Sequence, residues 1–244
     1  MAFYDAIADY YDYIFPFRKA RLDFVSSFLE GRSSIVDLGC ATGSLALALA
    51  RRGHRVIAMD LNKRMIAKAR KRVPAIGNFR SSQQPLVVPN PSFHVEDMLR
   101  VENLCYPGSL DCALCFGNTL VHLDGMDGVE SFLSSVHRIL KPGGGVFLGQ
   151  VVNYDRILAT RPSSLPIIDN ELLRFERRYS YREDGRVEFS AKLVVKATGD
   201  ETHAQQAQQV ETHAHEAHEG HQTNEAQQTQ QAEQVETHTQ QAHQ

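Results

Sequence analysis

Residues 35–60 read IVDLGCATGSLALALARRGHRVIAMD, and this stretch decides the fold. An apolar run (34–38) meets a turn of small residues, GCATG (39–43), then an Ala/Leu-rich helical pattern (44–52) and a second apolar run (55–59) closing on Asp60. Strand, turn, helix and strand in that order make a βαβ unit. Strands that are apolar along their whole length, rather than at alternate positions, predict a parallel sheet covered on both faces. Right-handed crossovers then gather the C-terminal ends of the strands along one edge, where such sheets bind ligands. The turn itself reads D-x-G-x-A-x-G over Asp37, Gly39, Ala41 and Gly43. A chain that must reverse sharply and let a ligand approach its backbone needs little or no side chain there. A pyrophosphate-binding loop would read G-x-G-x-x-G and open a helix onto phosphate. Here a carboxylate, Asp37, stands at the strand end, which suits an amine-bearing or cationic ligand and opposes a pyrophosphate. Asp60, at the end of the second strand, is placed to accept hydrogen bonds from a ribose diol.

Outward from this unit the alternation continues. Residues 5–13 and 18–30 are helical in pattern, separated by Pro16, and 63–73 is a helix with a basic outer face. A Pro/Ser/Gln-rich loop (74–91) leads to a strand at 93–95, a strand at 110–116, an amphipathic helix at 128–140, the turn KPGGG and a last strand at 146–152. Asp97 and Gly117–Asn118 follow strands and belong on the ligand edge with Asp60. After Asn153 the period changes from helix-and-strand to two. LLRFERRYSY (172–181) and RVEFSAKLVVKA (186–197) flank REDG and predict an antiparallel hairpin whose Arg177, Arg178 and Arg182 form a solvated face.

Composition divides the 244-residue chain near residue 200. Residues 1–199 hold all 26 Lys and Arg and 21 of the 29 acids, a net charge of +5, too small and too dispersed to predict nucleic-acid binding. Residues 200–244 carry −8, with no Lys or Arg and no Phe, Tyr or Trp. Such a Gln/His/Thr/Glu segment buries too little apolar area to offset chain entropy, so a disordered tail is expected. Its seven histidines have nothing to fix their geometry, and no metal site is expected. The C-x-x-C of Cys112 and Cys115 falls inside a strand and reads as core thiols. With no signal peptide and no apolar run long enough to span a bilayer, the expectation is a cytoplasmic protein without membrane partners.

Taken together, VDLGCATG (36–43), VIAMDLNKRMIAKAR (56–70), HVEDMLRV (94–101), LDCALCFGNTLVHL (110–123) and ILKPGGGVFL (139–148) resemble, in order and spacing, the class I S-adenosylmethionine-dependent methyltransferases. YDAIADYYDYI (4–14) is similar to the helical segment that caps the cofactor in that family. GNTLVHL and VVNYDRIL resemble more loosely its glycine and sarcosine N-methyltransferase branch. The resemblance implies a Rossmann-like α/β fold: a mostly parallel sheet covered by helices on both faces, with the added hairpin (170–197) and a helical cap (1–30) within one domain of residues 1–199. It implies S-adenosylmethionine as cofactor, with Gly39, Ala41 and Gly43 under its methionine part beside Asp37. Asp60 would hold the ribose hydroxyls and Leu61 lie against adenine. Asp97 would accept from the adenine amino group and Met98 lend its backbone, while Phe116 and Gly117 pack near the methionine and open towards substrate. Ala41 departs from the family's usual middle glycine, and the closing antiparallel strands of the family are not evident after Ala197.

Methyl transfer asks a protein chiefly to orient a nucleophile and exclude water. His122, Tyr154 and Asn118 are the candidate catalytic residues, with Asn153, Tyr10, Tyr11 and Arg18 as further acceptor contacts. Arg18 is suited to a substrate carboxylate. The expected activity is methylation of a small molecule, with an amine nitrogen the narrower expectation. A different class, a catalytically idle binder of S-adenosylmethionine or S-adenosylhomocysteine with a replaced C-terminal region, would retain the pocket without the acceptor space. A nicotinamide oxidoreductase is disfavoured by Asp37.

Overall fold

The computed structural model describes residues 2–73, 90–183, 185–196 and 210–216. The predicted loop at 74–91, apart from its last two residues, and most of the tail lie outside them.

Five parallel strands, β1 (Ser34–Leu38), β2 (Arg55–Asp60), β3 (Ser92–Val95), β4 (Cys112–Cys115) and β5 (Val146–Gly149), form a sheet in the order β3-β2-β1-β4-β5. Alternate residues of each strand feed two apolar layers, as the two-residue period requires. Ile35, Cys112 and Leu114 join one layer with α3 (Lys19–Ser26), α4 (Ser44–Arg51) and α5 (Lys63–Arg72). Val36, Leu38, Ala113 and Cys115 join the other, against a 3₁₀ segment (Met98–Asn103) and α6 (Gly125–Ile139). Cys112 and Cys115 therefore lie on opposite faces of one strand, and burial pushes both thiols up to about 12. The core-thiol reading holds for the reason that three residues along a strand reverse the face.

A second, antiparallel sheet runs β6-β7-β8-β9, from β6 (Ile168–Asp169) through the hairpin β7 (Leu173–Tyr181) and β8 (Val187–Val195). Its fourth strand, β9 (Val210–Glu216), pairs with β8 from Val187↔Glu216 to Leu193↔Val210. It belongs to the low-complexity tail, where the sequence marks no strand. The segment VETHAHE nonetheless alternates two kinds of residue, a local pattern that average composition conceals.

The predicted helix at 5–13 is two short ones, α1 (Ala2–Ile7) and α2 (Tyr11–Ile14). Their Phe3, Ile7 and Ile14 pack against Leu173, Phe175, Ala191 and Leu193 of the hairpin, forming a third apolar cluster. The helical cap is accordingly narrower than residues 1–30, because Leu22 and Val25 of α3 are part of the main sheet's covering layer. A helix not foreseen, α7 (Tyr154–Thr160), starts where the Asn153 side chain accepts from Arg156 N–H at 2.8 Å, an ordinary N-cap. Among the described residues no helix is long and apolar enough to cross a membrane.

Candidate active site

The sheet order reverses between β1 and β4, and the C-terminal ends of the strands open a crevice at that switch point. The turn after β1 lies across it. Gly39, Ala41 and Gly43 all take left-handed backbone, at φ 73, 49 and 75°. A Cβ on Gly39 would stand 2.5 Å from Thr119 Cγ2, and one on Gly43 would overlap the Phe93 ring. Glycine at these two positions is thus required twice over, by conformation and by space. Ala41 carries a methyl group where a left-handed backbone costs an L-residue roughly 1–2 kcal/mol. Asp60 offsets that strain: its Oδ2 accepts from Ala41 N–H at 2.9 Å, and its Oδ1 from Asn62 N–H at 2.8 Å. The adjoining Asn62 side chain caps α5 by accepting from the Arg64 and Met65 N–H groups.

Helices α1 and α2 are latched over this floor by acids. Asp12 Oδ1 accepts from Thr42 Oγ1 at 2.6 Å and from Ser44 Oγ at 3.2 Å. Asp5 Oδ1 accepts from Asn62 Nδ2 at 2.9 Å, and Asp9 pairs with Arg64 and Lys68 at 2.7 and 3.0 Å. Exposed pairs of this kind contribute about 0–1 kcal/mol apiece, so they set position more than stability.

Two adjoining chambers result. The larger, about 460 Å³, is lined by Asp37, Gly39, Ala41 and Phe116 together with Arg18, Arg21 and Arg177. The other, about 350 Å³, is lined by Asp60, Leu61, Asn62, Met98, Thr119 and His122, among others. Tyr11, Gly39, Ala41, Phe116 and Gly117 border both. Gly117, at φ 76°, faces open space, since a Cβ built there would meet nothing within 4 Å.

Burial governs the electrostatics. Asp37 is 4% exposed, and desolvation pushes its carboxyl up to about 7, with the Arg21 guanidinium pulling it down and the Asp60 charge adding to the rise. Asp60 is also raised by burial, against the two N–H groups that favour its ionised form. Tyr11, between the chambers, is raised by burial and by the Asp60 charge, so its phenol stays protonated.

The remaining predicted residues are dispersed. Leu61 and Met98 line the Asp60 chamber, whereas Asp97 lies outside its lining and uses Oδ1 to accept from Leu99 N–H at 2.9 Å, capping the 3₁₀ segment. Glu96 is the carboxylate on that wall. Asn118, with φ 66°, donates through Nδ2 to Tyr154 Oη at 2.8 Å and accepts through Oδ1 from Val152 N–H at 2.9 Å. Asn118 and Tyr154 are thus brought together, outside the lining of both chambers, where they tie the loop after β4 to the loop after β5. His122 does reach a wall; its Nε2 lies 3.0 Å from Tyr4 Oη, and burial lowers its pKa. Tyr10 packs with the hairpin cluster. Arg177 departs from the solvated face assigned to it: half-buried, it lines the larger chamber, and its buried Nε–H has no acceptor among the described residues. Glu96 and Thr119 carried no signal in the sequence, since their places depend on which strand ends meet; for Arg177 the signal was strand alternation, which sets it on the same face of β7 as Phe175 and Tyr179.

Both chambers suit S-adenosylmethionine. A carboxylate offers about four lone-pair sites, and Asp60 has two occupied by the turn, which leaves acceptors for a vicinal diol beside apolar Leu61 and Met98.

Residues 35–144 match a family described as methyltransferase domain. The chain is 28% identical over 141 residues to "Putative methyltransferase YqeM" of Bacillus subtilis, covering 58% of this chain and 51% of that protein. It is 31% identical over 129 residues to the ubiquinone biosynthesis O-methyltransferase of Xanthomonas oryzae, covering 52% and 47%. The chain thus spans about half the length of the curated relatives it matches. Among solved structures, a methyltransferase from Clostridium acetobutylicum described as S-adenosylmethionine-dependent superposes with a TM-score of 0.66 at 18% identity, covering 87% of this chain and 80% of that one.

Proposed function

We propose that the protein is a class I S-adenosylmethionine-dependent methyltransferase that transfers a methyl group from S-adenosylmethionine to a small-molecule acceptor in the cytoplasm, a reading supported by the match of residues 35–144 to a methyltransferase domain. When bound, the cofactor supplies a methyl carbon on a sulfonium: the acceptor's lone pair forms the new bond, the carbon–sulfur pair returns to sulfur, and S-adenosylhomocysteine leaves. The chain's residues do the holding. Asp60 would accept from the ribose hydroxyls, Leu61 and Met98 would flank the adenine, and Glu96, on the wall of the same chamber, would take its amino group in place of Asp97. The backbone of Gly39, Ala41 and Gly43 would support the methionine portion, with Asp37 available to its amine and Arg21 to its carboxylate. Phe116 and Gly117, which border both chambers, would lie near the methyl group, and Tyr11 with the α1–α2 roof would exclude water.

Asn118 and Tyr154 act in this reading by fixing the two loops beside the acceptor. His122, lowered by burial and facing Tyr4, is available to accept a proton. A nitrogen acceptor remains the narrower part of the proposal, and a neutral amine would need no base.

The observation that carries the reading is the Asp60 carboxylate shared between the turn and an open chamber. Calorimetric titration of S-adenosylhomocysteine tests it. Micromolar binding is expected for the full chain, weakened about tenfold or more in Asp60→Ala, since hydrogen bonds to a charged group contribute ~1.5–3 kcal/mol. A folded wild type that does not bind would overturn the reading. Binding without methyl transfer to any of a broad acceptor panel would instead favour an idle binder.

A further inference from the structure

The larger chamber holds more positive charge than the cofactor accounts for. Arg18, Arg21 and Arg177 line it, and among the described residues none of the three pairs with a carboxylate. The acids nearby are committed: Asp12 to Thr42, Ser44 and Arg72, and Asp37 to the buried end of β1. Arg21 lies with its guanidinium carbon 5.6 Å from the centre of the Phe116 ring and acts electrostatically on Asp37, which places it at the cofactor's amino-acid end. Arg177 comes from β7, in the roof sheet. Its Nη2 donates to Pro166 O at 2.7 Å, which fixes the guanidinium, yet its buried Nε–H has no acceptor among the described residues. A planar guanidinium carries about five N–H donors in a fork matched to carboxylate or phosphate, and such a group held at a cavity wall is built for an anion. The same chamber also offers apolar surface: Phe15, Phe17 and Ile167 line it and are 38, 44 and 49% exposed.

We propose that the methyl acceptor is an organic anion, an apolar body seated among Phe15, Phe17 and Ile167 whose carboxylate or phosphate is held by Arg177, with Arg18 adding charge from the N-terminal segment. This rests on the methyltransferase reading and gives its acceptor a chemical class. Charge, more than the identity of the methylated atom, selects the acceptor. The N-terminal segment and the β6–β7 region recognise it together, although more than 150 residues separate Arg18 from Arg177.

The test uses the full chain saturated with S-adenosylhomocysteine and titrated with matched probes: benzoate against benzamide, and phenyl phosphate against phenol. At least one anion is expected to bind about tenfold or more tightly than its neutral partner, the scale of a charge-assisted hydrogen bond. Whichever anion wins identifies carboxylate or phosphate. Arg177→Gln should abolish the preference while S-adenosylhomocysteine affinity holds within about twofold, and Arg177→Lys should restore part of it. Arg18→Gln, at an exposed position, should weaken the preference without affecting the fold, which covers the case in which Arg177→Gln unfolds. Equal binding of charged and neutral probes, no probe binding to protein that binds S-adenosylhomocysteine, or a preference that survives both Gln variants would each overturn the proposal. Loss of S-adenosylhomocysteine binding in the wild type would overturn the underlying reading and this inference with it.

Discussion

Between Leu38 and Asn62 the site is made of backbone. Three left-handed residues, two N–H groups on one carboxylate and a helix capped by its own N-terminal asparagine hold the turn in place within 25 residues of sequence. The roof above is made the other way. It joins residues 3–14 to residues 173–193 through a separate apolar cluster, and acids of α1 and α2 reach down to hydroxyl, amide and basic groups on the floor. A floor fixed by local backbone geometry tolerates few substitutions and serves a constant ligand. A roof fixed by side chains from distant segments can change its contacts while the floor stays the same, which is what varied acceptors would require.

The largest effect expected is in the roof. Phe175 is fully buried where α1, α2 and the hairpin meet, and Phe175→Ala should cost ~3–5 kcal/mol. Urea unfolding followed together with hydrogen exchange checks this. If the roof loosens while amides of β1 and β4 keep their protection, floor and roof are separate units; if both lose protection, the division between them is structural but not thermodynamic.

Next comes Asp37, at the junction. Its folded carboxyl is raised to about 7, so between the unfolded value near 4 and pH 7 the folded state binds the proton and the unfolded state does not. Stability therefore falls as pH rises through that window and levels off above it. Asp37→Asn should remove this slope, gaining on the wild type by roughly 3–4 kcal/mol over the window at about 1.4 kcal/mol per pH unit. Urea midpoints measured from pH 4 to 8 decide it; parallel profiles for the two proteins would mean that Asp37 is ionised in the fold.

The smallest effect is in the floor. Ala41→Gly should stabilise by about 0.5–1 kcal/mol, because relief of the left-handed strain exceeds the added freedom of the unfolded chain. A lower melting temperature would mean that the Ala41 methyl makes contacts worth more than its strain.

The parallel sheet, its covering helices and the hairpin could all be read from periodicity, and the Asp37–Asp60 stretch from its turn residues. Elements that depend on partners could not. The 5–13 helix breaks in two because α1 and α2 dock on the hairpin rather than on each other. β9 follows a weak alternation that pairing with β8 brings out. Arg177 reads as one of a run of surface arginines, yet strand alternation places it on the face of Phe175 and Tyr179 and Arg178 on the other, a signal that its charge conceals.

The residues of one short segment carry the information for the floor of the candidate site, since the turn, its glycines and Asp60 act on one another across at most 21 positions. For that part the sequence was enough, apart from the left-handed backbone of Ala41, which the residue type does not announce. The chambers, the pairing of Asn118 with Tyr154 and the placing of Arg18 and Arg177 on one chamber arise from contacts between segments far apart in the chain. Side-chain type states what chemistry a residue can do, but packing decides which residues do it together.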